Sequence, residues 1–135
     1  FGTATTLDLI AADGAYEGGI IAPGVNLSVE ALERAAAQLP RLEVRPWADD
    51  LPILGKNTVS AMESGVFWGY VSMIDGLLTR LRGHYGKSLP AIATGGLASL
   101  FAAHVPGITV LDPDLTVKGL VEIHARNGAT NETDV

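Results

Sequence analysis

Cysteine is absent from this sequence, which excludes disulfides, thiolate metal sites and a cysteine nucleophile. No apolar run approaches the roughly 20 residues of a membrane-spanning helix. No signal-peptide pattern is visible, so a cytoplasmic location is the expectation. Charge is scarce: charged residues make up 18% of the 135, and the net charge is −6. An acidic balance with scattered basic residues disfavours nucleic acid or an anionic membrane as partner. The one basic grouping, Arg80, Arg82 and Lys87, falls near a predicted helix C-terminus, where cations offset the helix dipole and face solvent. His84, His104 and His124 lie too far apart for any pair to share ligand spacing on one helix, so no metal site is expected from them.

What is abundant is apolar surface. Hydrophobic residues account for 47% of a chain whose length suits a single domain with a real core. That share is high for a small soluble domain, so part of the surface is expected to meet another domain or subunit.

Alternation over Thr3 to Ala11, the Asp13-Gly14 turn signal and a second apolar run from Tyr16 to Ala22 predict a β-hairpin closed by Pro23-Gly24. Ser28 is placed as the cap of a helix to about Leu39, stopped by Pro40. Arg41 to Arg45 fits a short strand, and Pro46 to Pro52 a loop. Asn57 or Thr58 caps the longest predicted helix, which runs to about Arg82. Its apolar stripe is Val59, Met62, Val66, Tyr70, Ile74, Leu77 and Leu81. Beside that stripe runs a line of small residues: Ala61, Gly65, Gly69, Ser72 and Gly76. Glycine costs a helix roughly 1 kcal/mol per residue, so the line suggests either a close backbone approach or a bent helix against its own sheet. A strand at 91–94, a helix from Leu97 to about His104, a strand at 108–111 and a helix from Leu115 to about Arg126 complete the chain. A frayed tail follows Asn127. Hairpin first and strand–helix alternation afterwards predict an α/β domain, a mixed sheet with helices on its faces.

Several short stretches could bind ligand. Gly2-Thr3-Ala4-Thr5-Thr6 offers unobstructed backbone N–H groups and hydroxyls suited to a phosphate, although a threonine-rich edge strand would look the same. Gly95-Gly96, between a strand and a helix, would let a ligand lie on bare backbone, and a tight turn would use the same pair. The full G-x-G-x-x-G pattern is missing. Gly55-Lys56-Asn57-Thr58 is similar to the end of a P-loop but lacks its first glycine. No Ser/His/Asp arrangement stands out. The two carboxylates in apolar stretches, Asp8 and Asp75, fit outward or capping roles, so no catalytic group identifies itself.

Taken in order, FGTATT (1–6), GGIIAPG (18–24), LGKNT (54–58), SGVFWGY (64–70), ATGGLA (93–98) and LDPDLTVKGL (111–120) resemble the C-terminal half of type III pantothenate kinases, up to about Asn127. The resemblance implies an RNase H-like domain over 1–127 and membership of the actin, sugar-kinase and heat-shock-ATPase superfamily. It implies ATP-dependent phosphorylation of pantothenate, the first step of coenzyme A synthesis, with magnesium and a monovalent cation (potassium or ammonium). Gly2 and Thr3 match positions that meet the ATP phosphates, Gly95 and Gly96 the adenosine-side glycines, and Thr58 a threonine that contacts pantothenate. It also implies a homodimer through the 58–82 helix, with Phe67, Trp68 and Val71 available off the main stripe. The family's cation-binding aspartate would precede Phe1, and its first phosphate motif and general base would lie in an N-terminal half missing here. This chain is therefore expected to be inactive alone. A regulatory or transcription accessory module of the same fold, another kinase of the superfamily and a purely structural dimerisation domain are the rival expectations.

Overall fold

The computed structural model describes residues 1–35, 42–48, 50–86 and 88–128. Strands β1 (Ala4–Ile10) and β2 (Tyr16–Pro23) form the antiparallel hairpin. Its alternation puts Thr5, Leu7 and Leu9 inward, paired across the ladder with Ala22, Ile20 and Gly18. Asp13 closes the turn by accepting from the Ala15 N–H at 3.0 Å, and Gly14 sits at φ +89.

Helix α1 (Val25–Ala35) starts four residues before Val29, the first helical position expected from a cap at Ser28. Ser28 is not its cap. The Ser28 hydroxyl donates to the carbonyl of Gly24 at 3.1 Å, the back-bond of a serine already inside a helix. The expected end near Leu39 lies outside the described residues, as does Arg41. Over 42–45 there is no strand; Leu42 is instead buried beside Val29 and Met62, its N–H held by the Glu33 carboxylate at 2.8 Å.

Helix α2 (Thr58–Tyr85) begins where a reciprocal cap dictates. The Asn57 side chain accepts from Ser60 N–H at 2.9 Å, while the Ser60 hydroxyl accepts from Asn57 N–H at 3.2 Å. It ends at Tyr85, three residues beyond the expected Arg82, with Gly86 at φ +130 as its C-cap. The buried side is rotated from the expected stripe: Phe67, Val71 and Leu78 are buried with Met62, Tyr70 and Ile74, whereas Val59 is 40% exposed. Phe67 and Val71 are therefore core residues and not an outer surface, because aromatic rings from Phe101, Trp47 and Tyr70 gather on that side. Arg82 also departs from its expected solvated role. Its guanidinium donates to the carbonyls of Leu89 at 3.0 Å and Gly107 at 2.6 Å, tying the end of α2 to two loops.

Strands β3 (Ile92–Ala93) and β4 (Val110–Leu111) pair in parallel across the short helix α3 (Ala98–Ala102). Instead of one mixed sheet, the described residues hold two two-stranded sheets. Their nearest link is Phe1, whose amino group donates to Thr94 O at 2.9 Å, just past β3. Gly2 folds its N–H back onto Ala4 O at 3.1 Å. The main core lies between hairpin, α2 and α3 and includes Val25, Phe67, Ile74, Phe101 and Val105. Helix α4 (Leu115–Gly128) is the last element of the described residues, buries no residue and carries Asn127 and Gly128 in helical form. Among the described residues no helix is long and apolar enough to cross a membrane.

Candidate functional site

Two glycine-bearing turns meet at the start of the chain. The Phe1–Thr94 hydrogen bond sets Gly2-Thr3 beside Gly95-Gly96, although 93 residues separate the bonded pair. Gly95 has φ +103, and a Cβ there would collide with the Phe1 carbonyl; no other residue fits. Gly2 and Gly96 are exposed, and a Cβ added at Gly96 would meet open space. A fourth glycine joins them. Gly24 N–H donates to Thr3 O at 3.0 Å, and a Cβ at Gly24 would strike the carbonyls of Gly2 and Thr3. The result is a patch of exposed backbone where a flat or anionic group can come close. Helix α3 adds little field to it, since it has five residues and its N-cap, Leu97, makes no side-chain cap bond.

Thr58 sits elsewhere. It is the first residue of α2 and lines an open groove of about 610 Å³ with Ser28, Leu32 and Tyr70. Ala61, Gly65 and Gly69 also line it, and added Cβ atoms at the two glycines would touch nothing, so the small-residue line faces open space and not a packed backbone. The loop before Thr58 is fixed: Gly55 lies against the backbone of Ser60 and Ala61, where a Cβ would clash, and Ser64 hydroxyl donates to Ile53 O. The opening N–H groups of α2 are thus held in place, and such groups carry partial positive charge.

The four glycine and threonine positions around Phe1 therefore come together, and Thr58 stands in a separate groove. One buried contact connects the two places. Thr5 hydroxyl and Tyr70 hydroxyl share a hydrogen bond, Thr5 lying two residues from Thr3 and Tyr70 forming part of the groove wall. Burial pushes the Tyr70 hydroxyl above its ordinary value of 10.0, against hydrogen bonds from Thr5 and the Val25 backbone that draw it down. Gly24 and Tyr70 were not singled out from sequence as site residues, and Thr5, read there as part of a run of hydroxyls open to a phosphate, is instead buried. Pro23-Gly24 gave a signal but read as a turn, and no local pattern relates residues 65 apart.

Neither Asp8 nor Asp75 belongs to this groove. Asp8 is exposed and accepts from Tyr16 hydroxyl at 3.3 Å, and Asp75 is half-buried on α2. Among the described residues no group of three His, Asp or Glu side chains could hold a metal ion.

A sequence model of the type III pantothenate kinase family matches residues 1–80. The chain belongs to that family. It is 56% identical over 126 residues to the type III pantothenate kinase of Caulobacter vibrioides, covering 93% of this chain and 48% of that protein. It is 54% identical over 130 residues to the Maricaulis maris protein of the same name, covering 96% and 49%. The chain spans about half the length of the curated relatives it matches. A solved structure described as a conserved Baf family transcriptional activator, from Campylobacter jejuni, superposes with TM-score 0.64 over 95% of this chain and 56% of that one. At 23% identity the likeness is one of fold alone.

Proposed function

We propose that this chain supplies one wall of a pantothenate kinase active site, the wall that positions both substrates. Gly2 and Thr3 take the ATP phosphates on bare backbone, and Gly95 and Gly96 the adenosine side. Thr58 and the first N–H groups of α2 take the pantothenate hydroxyl arm and carboxylate. The observation that carries this reading is the Phe1–Thr94 hydrogen bond, which assembles Gly2-Thr3 and Gly95-Gly96 into one surface. The domain is read as an RNase H-like half of an actin-superfamily kinase, its partner half being the other portion of the relatives' length.

In the reaction, the pantothenate hydroxyl oxygen attacks the γ-phosphorus of ATP, the bond from that phosphorus to ADP breaks, and a carboxylate accepts the hydroxyl proton. That carboxylate, the first phosphate loop and the ligands for magnesium and a monovalent cation are assigned to the partner half. What the residues in hand contribute is alignment, and positioning and electrostatics dominate phosphoryl transfer. Self-association is assigned to the side of α2 that bears the glycine-lined groove, since Phe67 and Val71 are spent on the core, the second copy closing the open side of the groove over pantothenate. Replacing Gly69 with Leu should lower the dimer population in sedimentation, and an unchanged population would remove α2 from the interface.

The test uses a chimera in which this chain replaces the matching segment of the Caulobacter vibrioides kinase. Thr58→Ala should raise KM for pantothenate more than KM for ATP, by the equivalent of about 1 kcal/mol for one neutral hydrogen bond. A rise confined to ATP would place Thr58 on the wrong substrate. A transcription accessory role is the second reading; the acidic balance opposes it, and a gel shift at low salt would decide.

A further inference from the structure

Two hydroxyl groups are buried in the core where packing has no use for them. Thr5 is 1% exposed and Tyr70 6% exposed, and their hydroxyls bond to each other. Valine at 5 and phenylalanine at 70 would fill the same space, and the Tyr70 ring would keep its neighbours Phe1 and Phe101. A buried hydroxyl must be partnered, so a pair of this kind constrains both chains that carry it. One of those chains is the strand leading from Gly2-Thr3; the other is the helix whose N-terminus presents Thr58. Tyr70 touches both regions, as a wall residue of the Thr58 groove and as the partner of Thr5. Phe1, which joins Gly2 to the Gly95 turn, also packs edge-on against the Tyr70 ring, with centroids 6.2 Å apart.

We propose that Tyr70 is a positioning residue that couples the acceptor groove to the phosphate-side strand through its hydrogen bond to Thr5. Occupation of the groove presses on the Tyr70 wall, and the hydroxyl pair transmits that constraint to the strand carrying Gly2 and Thr3. Each substrate then binds more tightly when the other is present. The inference rests on the kinase reading above, because it needs Thr58 on one substrate and Gly2-Thr3 on the other.

Pantothenate affinity is measured by calorimetry on the same complete chimera, with and without a non-hydrolysable ATP analogue. The parent protein should bind pantothenate tighter with the analogue present, by on the order of fivefold. Tyr70→Phe should bring that ratio close to unity. Thr5→Val should do the same, the double variant should be no worse than either, and Thr5→Ser should keep the coupling. A purely structural tyrosine would lower the melting temperature and leave the ratio alone, and that result overturns the proposal. So does a parent that binds both ligands independently, or additive effects of Tyr70→Phe and Thr5→Val. Should Tyr70→Phe fail to fold, Thr5→Val and Thr5→Ser decide by themselves. A parent that binds ATP analogue but no pantothenate refutes the kinase reading, and this inference falls with it.

Discussion

Helices α2 and α4 read alike in sequence and differ in what they bury. Both carry apolar residues at helical spacing and basic residues in the last turn. Helix α2 buries seven of its 28 residues, Phe67, Tyr70 and Ile74 among them. Helix α4 buries none, and Val117, Leu120, Val121 and Ile123 are 57–64% exposed. Periodicity reports which residues share a face; it does not report whether this chain holds a partner for that face. A helix of 14 residues is marginal in water on propensity alone, so α4 leans on polar contacts such as Lys118 to Asp112 at 2.7 Å. That is consistent with a chain spanning about half the length of its relatives.

The comparison is broken most severely at the core of α2. Phe101 is fully buried against Phe67 and Tyr70, so Phe101→Ala should cost about 3–5 kcal/mol in urea unfolding. A loss below 1 kcal/mol, well under the ordinary range for a buried aromatic, would mean the packing around α2 is misplaced. Next in size is the glycine patch. Gly95→Ala forces a side chain onto φ +103 and into Phe1, costing about 1–3 kcal/mol, whereas Gly96→Ala enters open space and should cost far less. Equal costs would deny that Phe1 lies against Gly95.

Tyr70 supplies a pH signature on the α2 side. Its folded value lies above the ordinary 10.0, so the folded state holds the proton more tightly than the unfolded one. The resulting stability is fully present below pH 10 and is lost as pH rises through the folded value. Tyr70→Phe should flatten that alkaline decline in a chemical unfolding series.

On α4 the expected effects are small. Val121→Ser in this chain should stay within about ±0.5 kcal/mol, and α4 amides should exchange faster than those of α2. Smallest is Asp112→Asn. Lys118 donates to Asp112 and holds its carboxyl below the ordinary 3.8, so the pair supports the fold above that pH and loses the support as pH falls through the depressed value. Lys118 is exposed and Asp112 half-buried, and an ion pair open to solvent on one side contributes little, so circular dichroism should register only a slight loss of α4 helicity on acidification or substitution.

Much of the fold was legible because its signals are local. Asp13-Gly14 gave the hairpin, Asn57 the start of α2, and Gly95-Gly96 the turn after β3. The misses have tertiary causes. Helix α1 begins at Val25 because Gly24 is held against Thr3, which Pro23-Gly24 as a turn signal does not reveal. The buried face of α2 turns toward Phe67, Val71 and Leu78 because Phe101 and Trp47 lie there. For the site, Gly2-Thr3 and Gly95-Gly96 gave backbone signals that an edge strand or a tight turn would share, so their roles, like that of Thr58, came from resemblance. The roles of Gly24, Thr5 and Tyr70 depend on contacts across the chain that no spacing rule encodes.

The most direct test of the central claim is pantothenate-dependent ATP turnover, measured for this chain alone and after joining it to the other half of the Caulobacter vibrioides kinase. Alignment of bound reactants can supply about 7–11 kcal/mol of barrier reduction, and one wall of a cleft cannot provide it. The account predicts no turnover from the chain alone and clear turnover from the joined protein. Turnover by the isolated chain, or none from a folded joined protein that binds ATP, would contradict it.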